Sequence, residues 1–267
     1  MTNSAPQPTD VSPIEVPTAV REAARAARRV TVLTGAGMSA ESGVPTFRGA
    51  KGGLWEEFDP MTLASQRGWD ADPDLVWAWY AWRIGLVRAL EPNAGHRALA
   101  RWANGGGVEV RIATQNVDDL HERAGSEVLA HVHGDLFALR CSVCGAPFED
   151  EPEIPAEPVQ RLEPPLCGEC GEYVRPGVVW FGGMLPEGAF DAALDACLDA
   201  DLVLVVGTSG IVYPFASLPD IARGHGVTVV EINPEDTDLS SGVDHVWRAT
   251  AATALPALVE ALEADPA

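Results

Sequence analysis

The sequence predicts an α/β fold: a parallel sheet covered by helices, with a smaller inserted domain. Three observations carry this. Short β-branched runs recur along the 267 residues, each ending in a polar or glycine-containing loop. Helical stretches separate those runs, the alternation expected of a layered α/β sheet. Two stretches, 50–92 and 141–174, break the alternation; the first is tryptophan-rich and mostly helical in pattern, and the second holds two Cys-x2-Cys pairs.

Residues 1–16 are rich in Pro, Ser, Thr and Asn and lack the apolar core of a signal peptide, so they read as a flexible tail. Residues 17–29 (PTAVREAARAARR) place apolar residues at helical spacing and predict a helix. The run 30–33 ends in glycines and reads as a buried strand. Further strands are expected over 108–113, 202–206 and 227–232, with helices over 93–102, 190–198 and 215–223. The four loops after these strands (TGAG, TQNVDD, GTSG, NPED) should gather along one edge, where ligands of such sheets bind.

The charge balance narrows the function. With 39 acidic against 18 basic side chains, the net charge is −21, which repels phosphate backbones, so no nucleic-acid partner is expected. Small anions stay possible, because a helix N-terminus can bind a phosphate whatever the global charge. The longest apolar runs are strand-sized, far below the ~20 residues a bilayer requires. A cytoplasmic monomer without membrane contact is the expectation.

The first motif is Gly35-Ala36-Gly37-Met38-Ser39-Ala40, after a strand and before a plausible helix. Its glycines allow a tight turn and close approach to a pyrophosphate. Alone it fits either a nucleotide site or an ordinary strand-to-helix turn. Gly43 and Pro45 follow and would cut short the long helix of a plain dehydrogenase. The second motif is Cys141-x2-Cys144, 22 residues, then Cys167-x2-Cys170. That spacing suits one tetrahedral, all-thiolate Zn²⁺; four thiolates leave no open position, so the metal is structural. Cys197, on an apolar helical stretch, reads as buried structure. The third motif is Thr114-Gln115-Asn116-Val117-Asp118, with His133-Gly134-Asp135 fifteen residues beyond Asp118. Amide, carboxylate and imidazole at a sheet's carboxyl edge can orient a sugar and accept its proton. His121, His131, His225 and His245 read as structural, and only its company lifts His133 above them.

The blocks TGAGMSAESGVPTFRG, PNAGH, TQNVDDLHERAG, HVHGD, the four cysteines, RPGVVWFG, VVGTS and VEINPE together resemble the signature set of the sirtuin family, in the family's order and from about residue 17 to 260. The resemblance implies one catalytic unit over 17–262. Its Rossmann-like domain covers about 17–49, 93–140 and 175–262, with helices on both faces of the sheet. The smaller domain comes from 50–92 and the zinc ribbon at 141–174. It implies that Gly35, Ala36, Gly37, Ser39, Phe47 and Arg48 wrap NAD, and that Gln115, Asn116 and Asp118 hold the nicotinamide ribose and pocket. Gly207, Thr208 and Ser209 would meet phosphates and ribose, Asn233 the adenosine ribose, and the backbone near Ala251 the adenine. Asn116 and Asp118 join His133, the general base, as catalytic positions. NAD is consumed: the acyl-lysine oxygen displaces nicotinamide, and free lysine and O-acyl-ADP-ribose follow. The partners implied are acylated lysines of proteins, paired along Val178, Val179, Trp180, Phe181 and Gly182 by β-augmentation.

Acyl preference is readable as well. Val76, Tyr80, Arg83, Val87 and Leu90 form one helical stripe, and an arginine there is costly unless something anionic meets it. A carboxylate suits its fork, whether an internal Asp or Glu or a ligand. Tyr80 and Arg83, with Ala64 widening the pocket, resemble the sirtuin branch that removes succinyl and malonyl groups. Thr46, where many deacetylases of the family have Asp, agrees; Gly183 departs from a common Glu. The expected activity is therefore removal of succinyl or malonyl groups, with some deacetylation. Mono-ADP-ribosyl transfer on the same NAD site is the first alternative, an idle NAD-binding scaffold the second, and a zinc-containing dehydrogenase the third.

Overall fold

The computed structural model describes residues 14–45 and 59–264. Its strands are β1 (Arg29–Thr34), β2 (Glu109–Thr114), β3 (Val128–His131), β4 (Gly134–Cys141), β5 (Val174–Val178), β6 (Leu202–Val206), β7 (Thr228–Ile232) and β8 (His245–Trp247). The longer helices are α1 (Thr18–Ala26), α2 (Ala36–Ser39, one turn), α3 (Pro60–Leu63, one turn), α4 (Gln66–Ala71), α5 (Pro73–Ala89), α6 (Ala94–Asn104), α7 (Leu120–Arg123, one turn), α8 (Ala189–Leu198), α9 (Leu218–Gly224) and α10 (Ala251–Glu263).

Six strands form one sheet in the order β3-β2-β1-β6-β7-β8, every pair parallel. Strand order reverses beside β1, whose neighbours are β2 and β6, and ligands of such sheets bind at that switch point. Alternation along the strands fills both faces. Val30, Val32, Leu202 and Leu204 pack under α1, α6 and α10, whereas Leu33, Val203 and Val205 pack under α8 and α9. Each such side chain, fully buried, contributes roughly 1.5–3 kcal/mol. Cys197 is buried on the α8 side, as a small apolar residue would be.

Where elements differ from expectation, a named residue is the reason. The first helix stops at Ala26 rather than continuing to 29, because the Asp201 carboxylate takes the N–H groups of Arg28 and Arg29 at 2.9 Å each and straightens the chain into β1. The stretch 215–223 divides into a 3-10 turn, Phe215–Ser217, and α9, with Pro219 in the first turn of the new helix. Helix α10 was not expected, since Pro256 lies inside it and reads as a breaker.

A third apolar core lies apart from the six-stranded sheet. Trp69, Trp77, Trp79, Tyr80 and Ile84 from α4 and α5 pack on Leu136, Val174 and Trp180, with Cys141 and Cys167 at its margin. Asp72 caps α5 by accepting the Leu75 N–H at 3.1 Å, and Pro73 opens the helix. Strands β4 and β5 pair antiparallel beside this core. The expected edge segment at 178–182 is not a continuous strand: β5 ends at Val178. Beyond it, Val179 N–H donates to His133 O (2.8 Å) and Phe181 N–H to Ala64 O (2.9 Å). The segment thus straps the two cores together. Among the described residues no helix is long and apolar enough to cross a membrane.

Candidate functional site

The loops after four strands meet at one edge because each is tied to its neighbour's last carbonyl. Gly35 N–H donates to Val206 O, Gln115 N–H to Thr34 O and Gly207 N–H to Ile232 O, all at 3.0 Å; Val132 N–H donates to Thr114 O at 2.8 Å. The glycines are dictated by approach distance. Gly37 N–H donates to Gly207 O at 2.8 Å, and a Cβ on Gly37 would lie 2.7 Å from Gly207 Cα. Gly207 adopts φ +63°, which only glycine holds without strain. Ala36 opens the following turn with its side chain exposed. Thr208 then joins three loops: its hydroxyl accepts from Gln115 Nε2 (2.9 Å) and its carbonyl from Asn233 Nδ2 (3.1 Å). Ser209 beside it is half-buried, and Ala251 is buried at the start of α10. Phe47 and Arg48 lie outside the described residues.

A buried polar chain runs behind this edge. Ser39 Oγ donates to Asp118 Oδ1 at 3.3 Å and accepts from Asn116 Nδ2 at 3.1 Å. His96 Nε2 lies 3.4 Å from the same hydroxyl. Asn93 N–H donates to His96 Nδ1 at 3.3 Å, so the neutral ring carries its proton on Nε2 and donates to Ser39. Burial presses the His96 pKa down to about 4, which keeps that tautomer neutral. Burial raises the pKa of Asp118, opposed by the Leu120 N–H and the Ser39 hydroxyl. Both of those bonds fall on Oδ1, so Oδ2 has no hydrogen bond among the described residues. In the sequence, His96 shows only as the end of the block PNAGH; its signal is a histidine three residues after the helix-capping Asn93.

His133 is half-buried immediately before β4. Desolvation lowers its pKa, partly opposed by a Gln115 backbone hydrogen bond, so the ring is neutral at pH 7 and can accept a proton. Ala64 is buried, and its carbonyl holds the same strap whose other end is fixed to His133.

Helix α5 presents Tyr80 and Arg83 one turn apart. The Tyr80 hydroxyl accepts the Trp180 indole N–H at 2.9 Å, and burial raises its pKa to about 12, so it is a neutral phenol with a proton to donate. The Arg83 guanidinium lies 5.0 Å from the Trp79 ring centre. Desolvation lowers its pKa, opposed through space by Tyr80 and by Asp118, yet an arginine stays charged. Among the described residues no carboxylate forms an ion pair with it. The internal acid partner that would explain this buried-side cation is therefore absent from that set, while the field of Asp118 links the two sides of the site.

The four cysteines come together as the spacing requires. Their sulfurs all lie within 4.8 Å of one another, with Cys141–Cys170 at 3.4 Å, Cys144–Cys170 at 3.5 Å and Cys144–Cys167 at 3.7 Å. A tetrahedron of 2.3 Å Zn–S bonds has edges of about 3.8 Å, so the set fits one zinc. The N–H groups of Val143 and Cys144 point at Cys141 Sγ at 3.4 Å and favour its thiolate form.

Comparison with known proteins agrees with this geometry. A match to the Sir2 family spans residues 35–214. The chain is 52% identical over 244 residues to a Corynebacterium glutamicum protein named NAD-dependent protein deacylase, covering 91% of this chain and 95% of that one. It is 54% identical over 237 residues to a Mycobacterium tuberculosis protein of the same name, covering 88% and 98%. Among solved structures, a Sir2 homolog–NAD complex superposes with a TM-score of 0.85 at 42% identity, covering 94% of this chain and 96% of that one.

Proposed function

The chain belongs to the Sir2 family, and from that premise we propose that it is an NAD-dependent protein-lysine deacylase preferring acyl groups that end in a carboxylate. Succinyl- and malonyl-lysine are its substrates, acetyl-lysine a poorer one, and nicotinamide and O-acyl-ADP-ribose its products. The deacylase part rests on the relatives' names and on NAD in the superposed homolog. The acyl preference rests on one observation: Arg83 stands in an apolar wall beside Tyr80, with no acid of this chain paired to it among the described residues.

Each residue has a task in that reading. NAD, when bound, supplies a ribose carbon that can exchange nicotinamide for the acyl oxygen. Gly35, Gly37 and Gly207 keep side chains out of the phosphate path, and Thr208 with Asn233 orders the adenosine side. Asn116 and Asp118 orient the nicotinamide ribose, the Oδ2 of Asp118, without a hydrogen bond among the described residues, being an acceptor for an external donor. Neutral His133 takes a proton from the ribose hydroxyls, worth about 10²–10⁴-fold in rate. Tyr80 donates its phenol proton, and Arg83 its paired N–H groups, to the acyl carboxylate. Val178 to Gly182 line the peptide, with Ala64 leaving room for a long acyl chain. The stretches 50–92 and 141–174 act as a smaller lobe, consistent with their separate apolar core.

The test is a panel of acetyl-, malonyl-, succinyl- and glutaryl-lysine peptides with NAD, read by nicotinamide release and by mass spectrometry of both products. O-acyl-ADP-ribose with higher kcat/KM for the acidic acyl groups is expected. ADP-ribose retained on the peptide would establish the transferase instead, and the fastest turnover on acetyl-lysine would remove the acyl preference.

A further inference from the structure

Strands β4 and β5 set Arg140 directly opposite Arg175. Like charges facing each other across a strand pair are destabilising unless an acid offsets them. Among the described residues Arg140 forms no ion pair. Arg175 is held by backbone carbonyls, Nε to Pro176 O at 3.1 Å and Nη2 to Val178 O at 2.6 Å, with its guanidinium 3.3 Å from the Trp180 ring centre. Those contacts fix its position without cancelling its charge. Nor do the zinc thiolates meet Arg140. Successive strand side chains point to opposite faces, and Cys141 is buried in the tryptophan-rich core while Arg140 is exposed.

Both arginines line a groove of about 310 Å³, together with Gln66 and the chain from Val178 to Met184. Among the described residues no acidic side chain lines it, and position 183 contributes only a glycine. In a chain of net charge −21, a pair of facing cations in a concave surface with no acid paired to them among the described residues is an exception, and it suits an external anion. The floor carries Phe181 and Met184, 45% and 93% exposed, apolar surface suited to a polypeptide rather than a small free ion. Net charge disfavours a nucleic acid.

We propose that this groove binds an aspartate or glutamate of the protein substrate close to the acylated lysine, and that Arg140 is a specificity-determining residue for the sequence around that lysine. The proposal rests on the deacylase reading, through the assignment of 178–182 as the peptide-lining segment. Arg175, stacked and tethered, presents a fixed cation; Arg140, exposed and without an ion pair among the described residues, closes on the carboxylate from across the strand pair. The acyl group and the flanking acid are thus read by different arginines, Arg83 and Arg140.

The experiment uses the full chain and fluorescein-labelled succinyl-lysine peptides differing only in the flanking residues: Asp/Glu, Ala or Lys. Binding is followed by fluorescence anisotropy, which needs no turnover. The acidic peptide is expected to bind on the order of fivefold tighter than the Ala peptide at low salt, with the gap shrinking in 0.5 M NaCl. Arg140→Glu should abolish or invert that order while leaving affinity and nicotinamide release for the Ala peptide unchanged; Arg140→Gln should give an intermediate result. Equal binding of all three peptides, or an acidic preference that survives Arg140→Glu, overturns the proposal. Nicotinamide release from the Ala peptide reads the premise separately: no release from any peptide overturns the deacylase reading, while anisotropy still decides the groove.

Discussion

At the sheet edge Asp118 is buried with its partners inside the protein, a serine hydroxyl and a backbone N–H. On α5, Arg83 is half-buried beside an aromatic ring with no acid paired to it among the described residues. Removing a charge from water is costly in both places: at Asp118 hydrogen bonds of the chain offset part of that cost, whereas at Arg83 the offset comes only through space, from Tyr80 and from Asp118 itself. In the proposed reading the sheet edge is prepared before any ligand arrives and is common to every acyl substrate, whereas what meets Arg83 on α5 decides which acyl group is accepted.

Metal removal separates the two regions most drastically. Cys141 and Cys167 belong to the core that holds Trp69, Trp77, Trp79 and Trp180. Metal analysis should find about one zinc per chain, and a chelator should erase the near-ultraviolet tryptophan signal with a loss on the order of 10 kcal/mol in that lobe. A metal-free protein with an unchanged signal would show that the lobe stands without the ion. His133→Ala acts on the common side, so kcat should fall about 10²–10⁴-fold for every acyl peptide alike; unequal losses would mean the base is not shared. Arg83→Met acts on the selective side, and should cost about 2–5 kcal/mol in kcat/KM on succinyl-lysine while sparing acetyl-lysine. An equal loss on both would end the contrast drawn above.

Acid should expose the sheet edge more gently. The folded pKa of His96, about 4, lies below its ordinary 6.5. Above pH 6.5 the ring is neutral in both states and its contribution is complete. As the pH falls from 6.5 towards 4, the unfolded chain binds a proton that the folded one refuses, and up to about 3 kcal/mol of stability is lost. Denaturant titrations of the wild type and His96→Asn across that window check it: the variant should lose part of this slope. Deacylation should fall over the acid side of the same range as His133, whose pKa is also lowered, takes up its proton.

The regions also differ in how far the amino-acid order discloses them. Strands β1, β2, β6 and β7 are legible because each is rich in β-branched residues, nearly continuous in β1 and β6 and interrupted by a charged residue in β2 (EVRIAT) and β7 (TVVEI), and each ends in a glycine or polar loop. Strand β4 is not, since GDLFALRC carries a continuous apolar run over 136–139 with no period-2 alternation of residue type, although its burial alternates once folded. Helix α10 is hidden by Pro256, which its packing under the sheet tolerates. In the site, the glycines and cysteines are legible by spacing. The link from Asn93 through His96 and Ser39 to Asp118 is not, because its members come from separate segments.

By itself the sequence determined the chemistry available: which turns glycine alone could make, which thiolates could share an ion, and which side chains could move a proton. These are local properties, set by residue type and by spacings of a few bonds. Only the tertiary structure decided which charges found partners. Whether Arg83 is met by an acid, or Arg140 faces another cation, depends on elements far apart in the chain that packing alone brings within a few ångströms.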